Sequence, residues 1–525
     1  MGTAILIIFG LLMFVVFLYS LSLLHLLINF RRSRKHKDTS QKWHFSHPAQ
    51  FPFVTIQLPL YNEKPVVERL LRNIAEIDYP HHKLEVQVLD DSTDDSAELT
   101  AQIITELRAE GFPIQHLTRK NRMGFKAGAL KAGLDAAKGE FIAIFDSDFL
   151  PKPDWLKKTV PYFKNERLGV VQTRWGHLNA DYSLLTKLQA FLLDYHFILE
   201  QTGRNFGKHF INFNGTAGIW RKTCILDAGN WQGDTLTEDL DLSYRAQLKG
   251  WKFKYLKEVV TPAELPITIE ATRSQQFRWN KGAAENFQKN YRKVLKEKNT
   301  TFGTRIHSFF HLLNSSFFFV VLLMGIISIP VLFLLNDPSY SGILTGMTVF
   351  ILSPVIFFIT YYAAYRELHK DQQLSFFRFT GLFFTFFSIA MGLSLHNSIA
   401  ILEGHFGKKS EFIRTPKFNL KENLHTKIKV PVKITFQLIL EIMLMLLFGF
   451  GIFSAFRIGS YSLLPFHLMM FFGFSYVVLT SLNIEVGRPP IKTPRKNWEE
   501  KFQKMAKNAD DELLLDDAFE DENFN

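Results

Sequence analysis

Six stretches of this chain are apolar over lengths that suit the hydrocarbon core of a bilayer: Ala4 to Phe30, Ile306 to Leu335, Ile343 to Tyr365, Phe377 to Leu402, Phe436 to Phe456 and Leu463 to Ile484. About 20 such residues coiled as a helix are enough to cross. None lies between residues 51 and 300, so a water-facing part is inserted into a membrane part, and the 53 Phe among 525 residues gather mostly in the latter. The first run leads straight into Arg31-Arg-Ser-Arg-Lys-His-Lys37. Basic residues stay on the cytoplasmic side, so the N-terminus is expected outside and residue 31 onward inside. A cleaved signal peptide would have its charges in front, a shorter apolar core and a small-residue cleavage site. Crossing parity then constrains the rest. Six crossings would leave Lys408 to Lys433 and the basic Gly487 to Lys496 outside, whereas five keep both inside. Phe377 to Leu402 is the weakest candidate, because it carries Arg378, His396 and Asn397 and ends at Glu403. It is read as an interfacial or re-entrant helix. The net charge of +11 is concentrated beside the apolar runs and comes with no nucleic-acid-binding signature, so no nucleic acid partner is expected. A single cysteine, Cys224, excludes an intramolecular disulfide or a cysteine-cluster metal site and fits a reducing compartment.

From Phe51 to Pro266 strand and helix patterns alternate, the rhythm of a parallel α/β sheet. Val54 to Leu60 and Leu84 to Leu89 read as strands separated by the amphipathic Pro65 to Ile77, and Phe141 to Phe145 reads as a strand buried on both faces. Carboxylates follow two of these strands at once: Asp90 and Asp91 after the second, Asp146 and Asp148 after the last. Alternate residues on extended backbone point the same way, so Asp146 and Asp148 can hold one hard cation at the sheet edge where such folds bind ligands. D-x-D also arises by chance in a solvated turn. Lys126, in Lys126-Ala-Gly-Ala-Leu-Lys131, would put a cation near a phosphate; a surface helix with snorkelling lysines is an equal reading from composition alone. Phe213-Asn-Gly-Thr-Ala-Gly-Ile-Trp220 has glycines that let backbone approach a ligand. Thr237-Glu238-Asp239 opens a helix from Asp239 to Lys249, where acidic residues are also ordinary partners of the helix dipole. Gln275-x-x-Arg278-Trp279 offers a fork for a diphosphate beside a flat face for a sugar, or else an interfacial aromatic with a snorkelling arginine.

In that order, Asp90-Asp91, Asp146-x-Asp148, Thr237-Glu238-Asp239 and Gln275-x-x-Arg278-Trp279 resemble the membrane-integrated inverting family 2 glycosyltransferases of the cellulose synthase and hyaluronan synthase group. Gln87-Val-Leu-Asp-Asp-Ser-Thr-Asp94, Asp194-Tyr-His-Phe197, Phe213 to Trp220 and Glu264-Leu-Pro266 are most similar to the cellulose-synthase-like glucomannan mannosyltransferases and xyloglucan-backbone glucosyltransferases. The resemblance implies a glycosyltransferase-A type, Rossmann-like, mostly parallel sheet inserted in an α-helical transmembrane domain. It gives Asp239 the role of general base, with Glu238 and Thr237 shaping its surroundings, and gives a divalent cation, Mg or Mn, to Asp148 with Asp146. Asp90 and Asp91 would face the nucleotide, Lys126 and Arg278 the diphosphate, and Gln275 and Trp279 the substrates at the acceptor end. The implied reaction moves a hexose from GDP-mannose or UDP-glucose to a glycan with inversion, making and translocating a β-linked polysaccharide; the alternative is a single transfer to a lipid acceptor. The implied plan is a transmembrane helix at 1–30, a basic linker at 31–50, a cytoplasmic catalytic domain at 51–300, a transmembrane domain at 301–486 with a basic loop at 403–433, and a disordered cytoplasmic tail at 487–525. Within that loop, Phe412-Ile-Arg414-Thr415 resembles the gating loop of these synthases, with Arg414 where Val is usual. The cytoplasmic (inner) membrane is the expected location, with membrane lipid around the helices and a homo-oligomer or accessory secretion protein completing the pore.

Overall fold

The computed structural model describes residues 1–370, 375–410, 415, 417 and 434–482. The α/β domain is built on seven strands: β1 (Val54–Leu60), β2 (Leu84–Asp90), β3 (Ile114–Thr118), β4 (Phe141–Ile144), β5 (Leu168–His177), β6 (Gly218–Arg221) and β7 (Lys252–Ala263). They lie in the order β3-β2-β1-β4-β6-β5-β7, and only β6 runs antiparallel to its neighbours. The expectation of a mostly parallel sheet therefore holds. Helices cover both faces, which is why the central strands are continuously apolar: Val54, Ile56 and Leu58 of β1 and all of β4 are fully buried. The predicted strands match closely, with β1 as expected, β2 one residue longer and β4 one residue shorter.

Register brings the chemistry together. β1 pairs in parallel with β2 through Leu60 and Asp90, and with β4 through Gln57 and Ile144. The residues after β2 and β4 thus leave the sheet at one edge. β6 adds something that strand patterns did not predict. Because it runs antiparallel to β4, with Gly218 opposite Ile144, the segment before it, Phe213 to Ala217, is delivered to that same edge. The Asp146 backbone N–H donates to the Thr216 hydroxyl at 2.9 Å, which fixes this junction.

Among the described residues, five helices are long and apolar enough to cross a membrane: Gly2–Ser33, Phe302–Leu332, Pro338–Leu368, Phe436–Ile458 and Leu464–Ser481. The sixth candidate is two helices, Phe376–Gly392 and Ser394–His405, bent by 52° at their junction. Each half has its own environment. Phe379, Phe383 and Phe386 of the first half pack into an aromatic cluster with Phe191 and Tyr361. A Cβ at Gly392 would lie 2.2 Å from the Gly473 carbonyl oxygen, so this half meets Leu464–Ser481 backbone to backbone. The second half instead lies on the long helix Ile269–Lys296. His396 Nε2 meets the Arg273 carbonyl at 2.9 Å, Asn397 Nδ2 donates to Gln276 Oε1 at 3.0 Å, and Lys281 Nζ pairs with Glu403 at 3.1 Å. Three of the polar residues in this stretch, His396, Asn397 and Glu403, hold its second half to the long helix, whereas Arg378 on the first half is exposed. Phe412 and Arg414, most of the 403–433 loop, and the tail from 483 lie outside the described residues.

Candidate active site

Three segments converge on the carboxyl edge of the sheet. After β4, Asp148 is 2 % exposed and Asp146 is half-buried. Lys126 comes from helix Phe125–Ala136, which starts behind Gly124 in the left-handed region at φ 72°. Its ammonium donates to Asp146 Oδ1 at 2.5 Å and to the Gly215 carbonyl at 2.9 Å. Burial would lower the pKa of Lys126, but Asp146, Glu238 and Asp239 outweigh it and hold the amine charged. Lys126 thus faces carboxylates in this structure, and is where a diphosphate would also be met. Gly215 itself sits at φ 80°, and a Cβ there would lie 3.1 Å from Asp239 Oδ2 and 3.6 Å from Lys126 Nζ. Its backbone is a close floor between base and cation, a conformation that favours glycine.

The second segment is the helix Glu238–Leu248, with Thr237 at the position before its first turn. Glu238 and Asp239 open it, and burial raises both carboxyls; at Asp239 the adjacent Glu238 adds to burial, and the group is pushed up to about 7. A carboxylate so placed can take a proton near neutral pH, where an ordinary aspartate is too weak a base. The third segment, the helix Ile269–Lys296, presses against this turn: a Cβ at Gly282 would lie 2.6 Å from the Thr237 hydroxyl. Asn286 Nδ2 donates to Thr237 Oγ1 at 3.0 Å, and Glu285 Oε2 accepts the Leu236 N–H at 2.7 Å. Gln275, Arg278 and Trp279 stand on this same helix, each partly buried. Arg278 donates to the Thr415 hydroxyl at 3.1 Å, and its charge is felt at Glu238.

Asp90 ends β2 and Asp91 follows it at the same edge, but both are engaged. Asp90 Oδ1 accepts the Ser92 N–H at 2.9 Å and Oδ2 meets His116 Nε2 at 2.9 Å; burial would raise this carboxyl, yet these bonds bring it below its ordinary value. Arg119 grips Asp91 in a two-pronged pair, through Nε at 2.9 Å and through a terminal nitrogen. Nearby, the Arg122 guanidinium stacks 3.2 Å from the centre of the Tyr61 ring. A planar cation on an aromatic beside the Asp90 edge is a surface suited to a nucleobase. His116, Arg119 and Tyr61 were not singled out by the sequence as site residues. Arg119-Lys-Asn-Arg122 is basic in the sequence, but which carboxylate each cation meets depends on the β2–β3 pairing.

Asp148 has a partner that sequence pattern did not assign. Lys417 Nζ lies 2.8 Å from Asp148 Oδ1, an oxygen with no hydrogen bond of good geometry. Burial raises this carboxyl, with Lys417 acting against it. An oxygen donor that is buried, lacks a hydrogen bond and has a cation held against it fits a divalent ion, with Asp146 two residues away as second ligand.

Residues 52–282 match the family described as glycosyltransferase like family 2. Glucomannan 4-beta-mannosyltransferase 1 of Oryza sativa subsp. japonica is 43% identical over 264 residues, 49% of this chain and 51% of that protein. Probable glucomannan 4-beta-mannosyltransferase 6 of the same plant is 35% identical over 398 residues, 73% of this chain and 66% of that protein. The chain thus spans about half the length of several curated relatives it matches. Among solved structures, a mannosyltransferase from Pyrobaculum calidifontis in complex with GDP-Man and Mn2+ superposes with a TM-score of 0.50 at 19% identity, covering 78% of this chain and 100% of that one. That likeness establishes the glycosyltransferase-A fold.

Proposed function

Starting from a chain whose residues 52–282 are a family 2 glycosyltransferase domain, we propose that it is an inverting hexosyltransferase that builds a β-linked polysaccharide from a nucleotide-diphosphate sugar. The observation that carries this reading is Asp239, raised to about 7 and set across Gly215 from the Lys126–Asp146 pair. Asp239 removes the proton of an acceptor hydroxyl as that oxygen attacks the anomeric carbon. The bond from that carbon to the diphosphate breaks on the opposite face, so an α-linked donor gives a β-linked product. Arg278 and Lys126 face the charge that the diphosphate acquires on leaving. A divalent cation held by Asp148 and Asp146 would neutralise that leaving group further. Glu238 and Thr237 hold the base in place, and Trp279 offers the acceptor a flat apolar face. Asp90, Asp91 and the Arg122–Tyr61 stack take the nucleotide end. GDP-mannose is the favoured donor: the relatives are named as mannosyltransferases, and the fold neighbour is in complex with GDP-Man.

The catalytic domain is placed in the cytoplasm and the product is passed through the membrane as it grows, since each hydroxyl entering hydrocarbon without a partner costs about 2–7 kcal/mol. Purified full-length chain, supplied in turn with GDP-mannose and UDP-glucose, tests the reading by product size and linkage. Long β-linked chains from one donor support it. Single sugars on a lipid would assign the alternative acceptor, and no transfer from either donor would overturn it. Proteoliposomes with outward-facing catalytic domains test translocation: product should resist an added polysaccharide hydrolase until detergent is present.

A further inference from the structure

Away from the sheet edge, three histidines from three distant parts of the chain meet where the membrane helices join the catalytic domain. His25 belongs to the N-terminal helix Gly2–Ser33, His307 to the start of Phe302–Leu332, and His209 to the loop following the short helix Thr202–Phe206. One ligand nitrogen of each lies within 4.8 Å of one from each of the others. His25 Nδ1 and His307 Nε2 are 2.7 Å apart, and the ring centres are separated by 4.9, 4.2 and 5.7 Å. Three imidazoles on one tetrahedral zinc, with Zn–N of about 2.0–2.1 Å, place their ring centres about 5 Å apart. The closest nitrogen pair would have to part by about 0.6 Å to reach the spacing of two ligands on one ion.

The surroundings favour a ligand set over a chance pairing. His209 Nδ1 meets the Thr304 hydroxyl at 3.0 Å, while its Nε2 is buried without a hydrogen-bond partner. His307 Nδ1 faces the Ser22 hydroxyl at 3.4 Å. Hydroxyls on the far ring nitrogens fix which nitrogen keeps its lone pair, as outer partners do in metal sites. The frame is tight: Cβ atoms at Gly203 and Gly207 would lie 2.6 Å from the Leu26 carbonyl oxygen and 2.5 Å from Asn29 Nδ2. The nearby Arg204 cation is balanced by Glu200.

We propose that His25, His209 and His307 bind one borderline transition-metal ion, zinc(II) fitting best, which clamps the N-terminal helix and the helix bearing His307 to the catalytic domain. Three neutral imidazoles with no carboxylate or thiolate select zinc, copper or nickel over magnesium and manganese, so the ion differs in class from the one suited to Asp148. The test uses full-length protein in detergent, without a polyhistidine tag and stripped with chelator. Zinc is titrated in competition with a chromophoric chelator, and cobalt(II) is added separately to read its visible spectrum. The expected result is one tight zinc per chain, a four-coordinate cobalt spectrum, and no displacement by excess magnesium. His25→Ala, which removes an exposed side chain, and His209→Gln should each weaken zinc about 100-fold while nucleotide binding at the sheet edge persists. Binding no tighter than micromolar, or zinc affinity unchanged in both variants, would overturn the proposal.

Discussion

Replacing Lys126 with Met should move the acid limb of the pH–rate profile to higher pH, and the size of the shift follows from the geometry. Asp239 is raised to about 7 by burial and by Glu238, with Lys126 opposing both. The space above Gly215 is bounded by Asp239 Oδ2 on one side and Lys126 Nζ on the other, which puts the two charges within about 7 Å. At an effective dielectric near 20 that attraction is about 2 kcal/mol. Removing it raises the pKa of Asp239 by about 1.5 units. The base works ionised, so in the unaltered enzyme kcat/KM should fall about tenfold per pH unit below 7. In Lys126→Met the fall should begin near pH 8.5, so part of the loss seen at pH 7 is recovered by raising the pH. Freed from Lys126, Asp146 adds negative charge nearby and pushes the same way. The assay is kcat/KM for transfer, measured between pH 5.5 and 9.5 at low donor concentration, where the profile reports the free enzyme. An acid limb that stays in place or moves to lower pH would refute the assignment of Asp239 as the base under Lys126 control.

Three further outcomes are expected. Asp148→Asn should weaken metal-dependent nucleotide binding, whereas Asp239→Asn should leave donor binding nearly intact and lower turnover by about two to four powers of ten; equal loss of nucleotide affinity in both, by titration, would sink the division of roles. Lys417→Met should tighten manganese binding about tenfold in the absence of nucleotide, because the ion no longer displaces an ammonium from Asp148 Oδ1; unchanged or weaker manganese affinity, read by isothermal titration, counts against a shared place. Lys409→Cys, at an exposed position, should resist a membrane-impermeant thiol reagent added to intact cells and react after lysis if the proposed topology, with this loop inside, holds; Cys224 is buried and its thiol pushed up by burial, so it gives little background.

Much of the site was legible because its parts sit next to strong local signals. Asp90 closes one apolar strand and Asp146 comes two residues after another, and a strand running out at the edge of a parallel sheet places its next residues where ligands bind. Thr237 and Glu238 mark a helix start, and Arg278 and Trp279 lie on an amphipathic helix. The polar residues His396, Asn397 and Glu403 stand out in their apolar stretch, although the sequence did not indicate that they hold a helix to Arg273, Gln276 and Lys281.

The sequence by itself determined the division into long apolar helices and an α/β part, the strand and helix that carry each acidic motif, and the chemistry those residue types allow. These depend on hydrophobic period and on neighbours in the chain, which a one-dimensional reading contains. Only the tertiary structure decided which charges meet: Lys126 on Asp146, Arg119 on Asp91, His116 on Asp90, Lys417 on Asp148, and three histidines from residues 25, 209 and 307 at one seam. The antiparallel turn of β6 that brings Gly215 beneath Asp239 was likewise absent from local pattern. The physical reason is that a side chain's partner and its desolvation are set by how sheet register and helix packing fold distant segments together. The rise of Asp239 to about 7 comes from burial first and from the neighbouring Glu238 second, and burial exists only once the sheet edge has closed around the residue.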